Sequence, residues 1–167
     1  MNTLLSVAAL LLTIMLMQMG MGALGPLDTL SAIELQFTNI QIGLIGASHF
    51  AGFILGCFGA PALLRRVGHA RTYIVAAACS ILTILMHPIF PIFWAWCLFR
   101  ILAGFSVAIS FTAIESWLNA KLTTQNRGRF FSLYRLMDMS GALIAQSLIA
   151  VLIPMAHLSY TILAIIL

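Results

Sequence analysis

GAPALLRRVGHAR, Gly59 to Arg71, sets three arginines and a histidine between two long apolar runs. Cationic side chains are kept out of hydrocarbon and accumulate on the cytoplasmic side of membrane proteins, so this stretch reads as the cytoplasmic hinge of a membrane hairpin. Outward from it, the 167-residue chain is 62% hydrophobic and only 7% charged, against roughly a quarter charged in a typical soluble domain. No soluble core could hide that much apolar surface. Divided at its few charged and proline-rich breaks, the chain yields runs near the ~20 residues that a helix needs to cross ~30 Å of hydrocarbon. The fold class is therefore an all-α, polytopic membrane protein that contacts the lipid bilayer directly. A porin-like barrel is excluded, because barrel strands alternate in and out whereas Val7 to Met17 is apolar on every side.

A net charge of +4 matters only through where the charges sit, and their placement does not point to nucleic acid. Arg65, Arg66, Arg71, Lys121, Arg127 and Arg129 fall in two inter-helix segments, 65–71 and 120–129, which must then share the cytoplasmic side. Cys57, Cys79 and Cys97 stand alone in apolar runs, with no CxxC or Cys/His spacing for zinc or a disulfide framework. They read as packing residues, and no metal or cofactor is expected.

Five full membrane spans are expected over 4–24, 40–64, 72–87, 93–119 and 130–153, with a truncated sixth over 157–167. The first run is preceded by no Lys or Arg and exceeds the ~7–15 residues of a secretory signal core, so it reads as a membrane helix with a cytoplasmic N-terminus. Gly25 and Pro26 should end it, leaving Asp28 and Glu34 in an external linker. Pro88 and Pro91 mark a short external turn, and Trp94 and Trp96 suit the external interface. In the second span Gly52 and Gly56 form a GxxxG pair that lets another helix backbone approach closely. The final eleven residues rise only about 16 Å as a helix, half a bilayer. A truncated reading frame, a fragment and part of a larger protein all remain open.

Three marks at successive helix boundaries give this chain a family likeness. Arg66, Gly68 and Arg71 follow the second span, Arg100 and Gly104 sit four residues apart in the fourth, and Arg127 and Gly128 precede the fifth. In that order they resemble the N-terminal half of a major facilitator superfamily transporter over essentially the whole chain. RRVGHAR, ESWLNA and NRGR are similar to a branch of bacterial inner-membrane permeases of poorly defined substrate. The resemblance implies one half of a twelve-helix carrier, built of inverted three-helix repeats, with its substrate site at mid-membrane between the halves. Its partners would then be a small-molecule substrate and a missing C-terminal half or a second copy. Two departures stand out. Arg65 occupies the place of the family's acid and Pro61 that of its leading glycine, so the conformational loop of Arg65, Arg66, Gly68 and Arg71 cannot supply the usual charge latch. Ser140 to Leu152 also lacks the proline of the antiporter motif, which tilts against drug/proton exchange.

Arg100 is the sharpest functional candidate. A charge at mid-span costs about 2.5 to 3.5 kcal/mol on insertion scales, so it should face a cavity or a partner, or else snorkel to the external interface. Gly104 continues its face as a small-residue groove. Glu115 and Arg135 are expected at one depth on antiparallel neighbours, as an ion pair at a cytoplasmic gate. Asp138 and Gln146 extend a polar stripe along the fifth helix; Asp138 is the candidate proton or cation site, or simply the neutralising partner of Arg135. His49 could titrate near neutrality or be a histidine bonded to a neighbouring helix, and Gln18 is a further cavity contact. Enzyme motifs such as HExxH, a Walker loop, GxSxG or a dinucleotide fingerprint are absent from the sequence. The leading expectation is secondary active transport of a small solute by alternating access, coupled to protons, as half of a larger carrier. The alternative is a nontransporting truncated membrane protein or an assembly partner.

Overall fold

A computed structural model describes residues 3–167, with side chains from Leu5 onward. Met1 and Asn2, on which the expected cytoplasmic N-terminus falls, lie outside the described residues. Six helices follow one another: α1 (Thr3–Glu34), α2 (Asn39–Val67), α3 (His69–Met86), α4 (Phe93–Lys121), α5 (Arg127–Leu148) and α6 (His157–Ile166). Four of them, α1 to α4, are long and apolar enough to cross a membrane. This is one fewer than expected, because α5 carries Arg127, Arg129, Arg135 and Asp138 within its 22 residues. The ten-residue α6 is short.

The largest departure from expectation is in α1, which runs straight through Gly25 and Pro26 to Glu34. Proline in a helix interior removes one backbone hydrogen bond and crowds the carbonyl four residues back. Here that carbonyl belongs to Gly22 and the site is walled by other helices, a setting in which interior prolines are tolerated. The helix stops at Glu34 by a Schellman turn, with Gln36 in the left-handed region at φ 58. Its N–H donates to Ile33 and that of Phe37 to Ala32. Thr38 and Gln41 then start α2 with a reciprocal capping box.

The opening basic stretch is not a loop. Arg65 and Arg66 form the last turn of α2, where cations complement the helix dipole. His69 and Arg71 already belong to α3. Only Gly68 separates the two helices, at φ 81, a conformation that strains any residue with a Cβ. The second cationic connection likewise shrinks to Leu122–Asn126, since α5 begins at Arg127. At its other end α5 stops at Leu148, short of Ile153, and irregular turns lead past Pro154 into α6.

Packing is organised around two intimate pairs. α4 lies against α2 and α3, α5 against α1, and α6 against α1 and α3. Exchanging the first three helices for the last three carries α2·α4 onto α5·α1 and α3·α4 onto α6·α1, so the contacts repeat within the chain. Small residues make both pairs possible. A Cβ on Gly52 would collide with the Ile101 carbonyl, and one on Gly104 with that of His49. On Gly141 it would lie 2.5 Å from the Met15 carbonyl. Without a hydrophobic drive between helices in lipid, such backbone contact is what holds the pairs together.

Gly104→Val should therefore lower the thermal unfolding midpoint in detergent by the equivalent of about 1–3 kcal/mol of overpacking. Gly46→Ala, where an added Cβ would meet nothing within 4 Å, should leave it unchanged within ~0.5 kcal/mol.

Candidate functional site

The continuation of α1 carries Asp28 into the protein interior, where it is 1% exposed. Its Oδ2 lies 3.2 Å from His87 Nε2 and 3.6 Å from Arg100 Nη1. Its Oδ1 accepts from the Tyr160 hydroxyl at 3.2 Å. Four elements thus meet on one carboxylate: α1 with Asp28, the end of α3 with His87, α4 with Arg100 and α6 with Tyr160. A charge at this depth is costly unless paired, and these partners supply the pairing.

The surroundings orient the His87 ring. His87 Nδ1 is 2.6 Å from the Thr83 carbonyl, an acceptor only, so Nδ1 carries a hydrogen. Nε2 then faces Asp28 Oδ2 at 3.2 Å, a charge contact in which neither atom completes a hydrogen bond. The ring is held for this role. Tyr160 stacks on it at 6.1 Å and 10°, and the Trp96 indole N–H donates to the His87 carbonyl at 3.0 Å. Trp96 is fully buried and is not an interface residue as expected, whereas Trp94 is exposed. Ser31, one turn beyond Asp28, lies 3.0 Å from Tyr160 Oη and accepts the Met155 N–H at 2.9 Å, tying the α5–α6 connection to α1.

Arg100 has a second aspect. It faces a cavity of about 350 Å³ that is also lined by Gln18, His49, Phe50, Phe53 and Phe111. Three of the sequence candidates, Gln18, His49 and Arg100, are thus brought together from α1, α2 and α4. Arg100 Nε and His49 Nδ1 are buried there without a hydrogen-bond partner. The guanidinium separates this cavity from Asp28, which lines a smaller one of about 20 Å³ behind it. Gly25 gives it room, since a Cβ at that position would sit 3.3 Å from Nη2.

The remaining candidates lie elsewhere. Arg135 and Asp138 pair within α5 at 2.9 Å. Asp138 is buried while Arg135 is exposed, and Gln146 is also exposed. The Glu115–Arg135 ion pair does not form, because α5 packs on α1 and not beside α4, leaving Arg135 turned outward. Glu115 instead accepts from the Tyr134 hydroxyl at 3.0 Å. It borders a polar hollow of about 790 Å³ with Asn119, Thr124 and Arg127. His69 Nε2 lies 3.0 Å from Ser116 Oγ, joining α3 to α4 at the same end. Among the described residues no three His, Cys, Asp or Glu side chains converge as a metal site would require.

Asp28, His87 and Tyr160 escaped the sequence reading. Pro26 concealed Asp28 by suggesting a helix end, and His87 looked like a boundary residue. A usable signal existed: with Asp28 on a continued helix, an intramembrane Arg100 had an intramembrane acid to answer it.

Apolar helices long enough to cross a membrane, with buried charges converging beside a cavity, mark an integral membrane protein. Residues 10–167 match the Major Facilitator Superfamily, and the chain belongs to that family. It is 30% identical over 136 residues to uncharacterised MFS-type transporters called YcaD from Salmonella newport (strain SL254) and Salmonella heidelberg (strain SL476). In each case the match covers 77% of this chain and 34% of the relative. The chain thus spans about a third of the length of these relatives.

Asp28→Ala should destabilise the bundle by about 3–5 kcal/mol, since it strands two buried basic groups. In a double-mutant cycle, Asp28→Ala with Arg100→Gln should cost less than the sum of the two single changes. Unfolding in detergent measures all four species, and strict additivity would show that the two side chains do not interact.

Proposed function

We propose that this chain is half of a proton-coupled secondary transporter that moves a small solute by alternating access, with the Arg100 cavity as its share of the substrate site. One observation carries the reading: a single guanidinium borders the cavity on one side and the Asp28–His87 pair on the other. Solute and proton then act on the same group. When a solute engages Arg100, the hold of the guanidinium on Asp28 weakens, and the carboxyl keeps its proton more readily. When the site empties, Arg100 returns to Asp28 and favours release of that proton. Coupling of this kind runs through Asp28 and His87, while Asp138 serves to neutralise Arg135.

The carrier operates in the bacterial inner membrane with its N-terminus and the arginine-rich α2–α3 turn in the cytoplasm, in keeping with the positive-inside rule. Family architecture places the substrate between two six-helix halves, and the cavity here is bounded by α1, α2 and α4 alone. A second half, or a second copy, closes it. That open boundary also supports a second reading, in which the chain is an assembly partner that does not transport by itself.

Proteoliposomes holding the chain alone, the second half of a Salmonella relative alone, or both together distinguish these readings by solute-dependent proton uptake with a trapped pH dye. Uptake with the chain alone indicates self-associated copies, and uptake only with both indicates a half-carrier. Its absence from all three sinks the transport reading. Where uptake occurs, Asp28→Asn and His87→Gln should each lower it at least ~10-fold, the scale of a lost proton-transfer group.

A further inference from the structure

The charge and shape of the Arg100 cavity define a substrate class. The groups around it can be taken element by element. α1 brings Gln18 and, behind the guanidinium, Asp28; α2 brings His49; α3 brings His87; α4 brings Arg100; α6 brings Tyr160. No aspartate or glutamate lines the cavity itself. Asp28 Oδ1 accepts from Tyr160, while Oδ2 lies within ion-pair distance of His87 and Arg100 without completing a hydrogen bond. A cationic solute would find no carboxylate on the cavity lining. Of the residues that line the cavity, two carry buried nitrogens without a hydrogen bond, Arg100 Nε and His49 Nδ1. Arg100 as a whole is 7% exposed, so water does little to satisfy it.

The rest of the lining is apolar and aromatic. Phe50, Phe53 and Phe111 dominate it, and Gln18 is the remaining polar side chain beside His49 and Arg100. A sugar or polyol needs a partner for each hydroxyl and would leave most of them unmatched here. The volume of about 350 Å³ sits near the lower end of the ~300–1,000 Å³ usual for ligand pockets. The share of the site on this chain therefore has room for a compact group.

We infer that the cavity takes a small organic monoanion with a compact apolar body, its carboxylate on Arg100 and His49 and its body against Phe50, Phe53 and Phe111. This rests on the cavity being the substrate site of the proposed carrier. It adds the chemical class.

Four probes separate head from body: benzoate, benzamide, benzylamine and acetate. Saturation-transfer NMR at pH 7, with the purified chain in phosphatidylcholine nanodiscs and empty nanodiscs as the blank, reads weak binding to a site open on one side. Benzoate should bind saturably, with the other three at least ten-fold weaker. Arg100→Gln should erase the preference for benzoate over benzamide. Because that change also disturbs Asp28, His49→Leu on the half-buried face of α2 provides the second variant, and it should weaken benzoate while leaving benzamide unchanged. Benzamide or benzylamine binding as tightly as benzoate, or no saturable benzoate signal, overturns the inference. The two levels stay separable. Benzoate binding without solute flux keeps the anion assignment and removes only the transport reading, whereas flux of a neutral or cationic solute with benzoate unbound does the reverse.

Discussion

One buried carboxylate holds the apolar bundle in register. Hydrophobic contact cannot discriminate among helix arrangements in lipid, where the surroundings are as apolar as the side chains. A charge can, because each arrangement that leaves it unpaired costs several kcal/mol. Asp28 accepts that role by facing His87, Arg100 and Tyr160 at once. The ends of α1, α3, α4 and α6 are thereby pinned together. The same carboxylate lies behind the guanidinium that borders the cavity, so the structural clamp and the cavity share Arg100.

Around that clamp, α2 and α5 are held by a different force. Glycines at 52, 104 and 141 bring backbones into direct contact, α2 on α4 and α5 on α1. The two pairs correspond under exchange of the first three helices for the last three, as expected of the inverted repeats from which transporter halves are built. One consequence is asymmetric. The α2–α4 pair carries His49, Phe53 and Arg100 on the cavity, whereas the α1–α5 pair carries the self-contained Arg135–Asp138 pair. An architecture that repeats thus supports a site on one side only.

The cavity residues were largely visible as types out of place. Arg100, His49 and Gln18 are polar groups in apolar runs, and any such group must face something other than lipid. Their convergence was not visible, because three helices bring them together from positions 18, 49 and 100. Asp28 failed for a local reason. A Gly-Pro pair is a common stop signal, and α1 continues through it with α4, α5 and α6 packed against it. Glu115 and Arg135 failed for a topological one. Consecutive helices are usually neighbours, but here α5 crosses to α1 and leaves Tyr134, not Arg135, to meet Glu115.

The sequence by itself determined that this is a membrane protein of helices, where its cationic turns lie, and its likeness to the Major Facilitator Superfamily. Those properties follow from hydropathy, charge and short motifs, which are local and survive in any arrangement of the spans. The tertiary structure alone decided which buried charges face each other, because distances across a bundle depend on helix neighbours and on backbone contacts made at single glycines. Local composition carries neither. The arginine-rich stretch was therefore plain from the start, while the approach of His87 and Arg100 to Asp28 had to be seen in three dimensions.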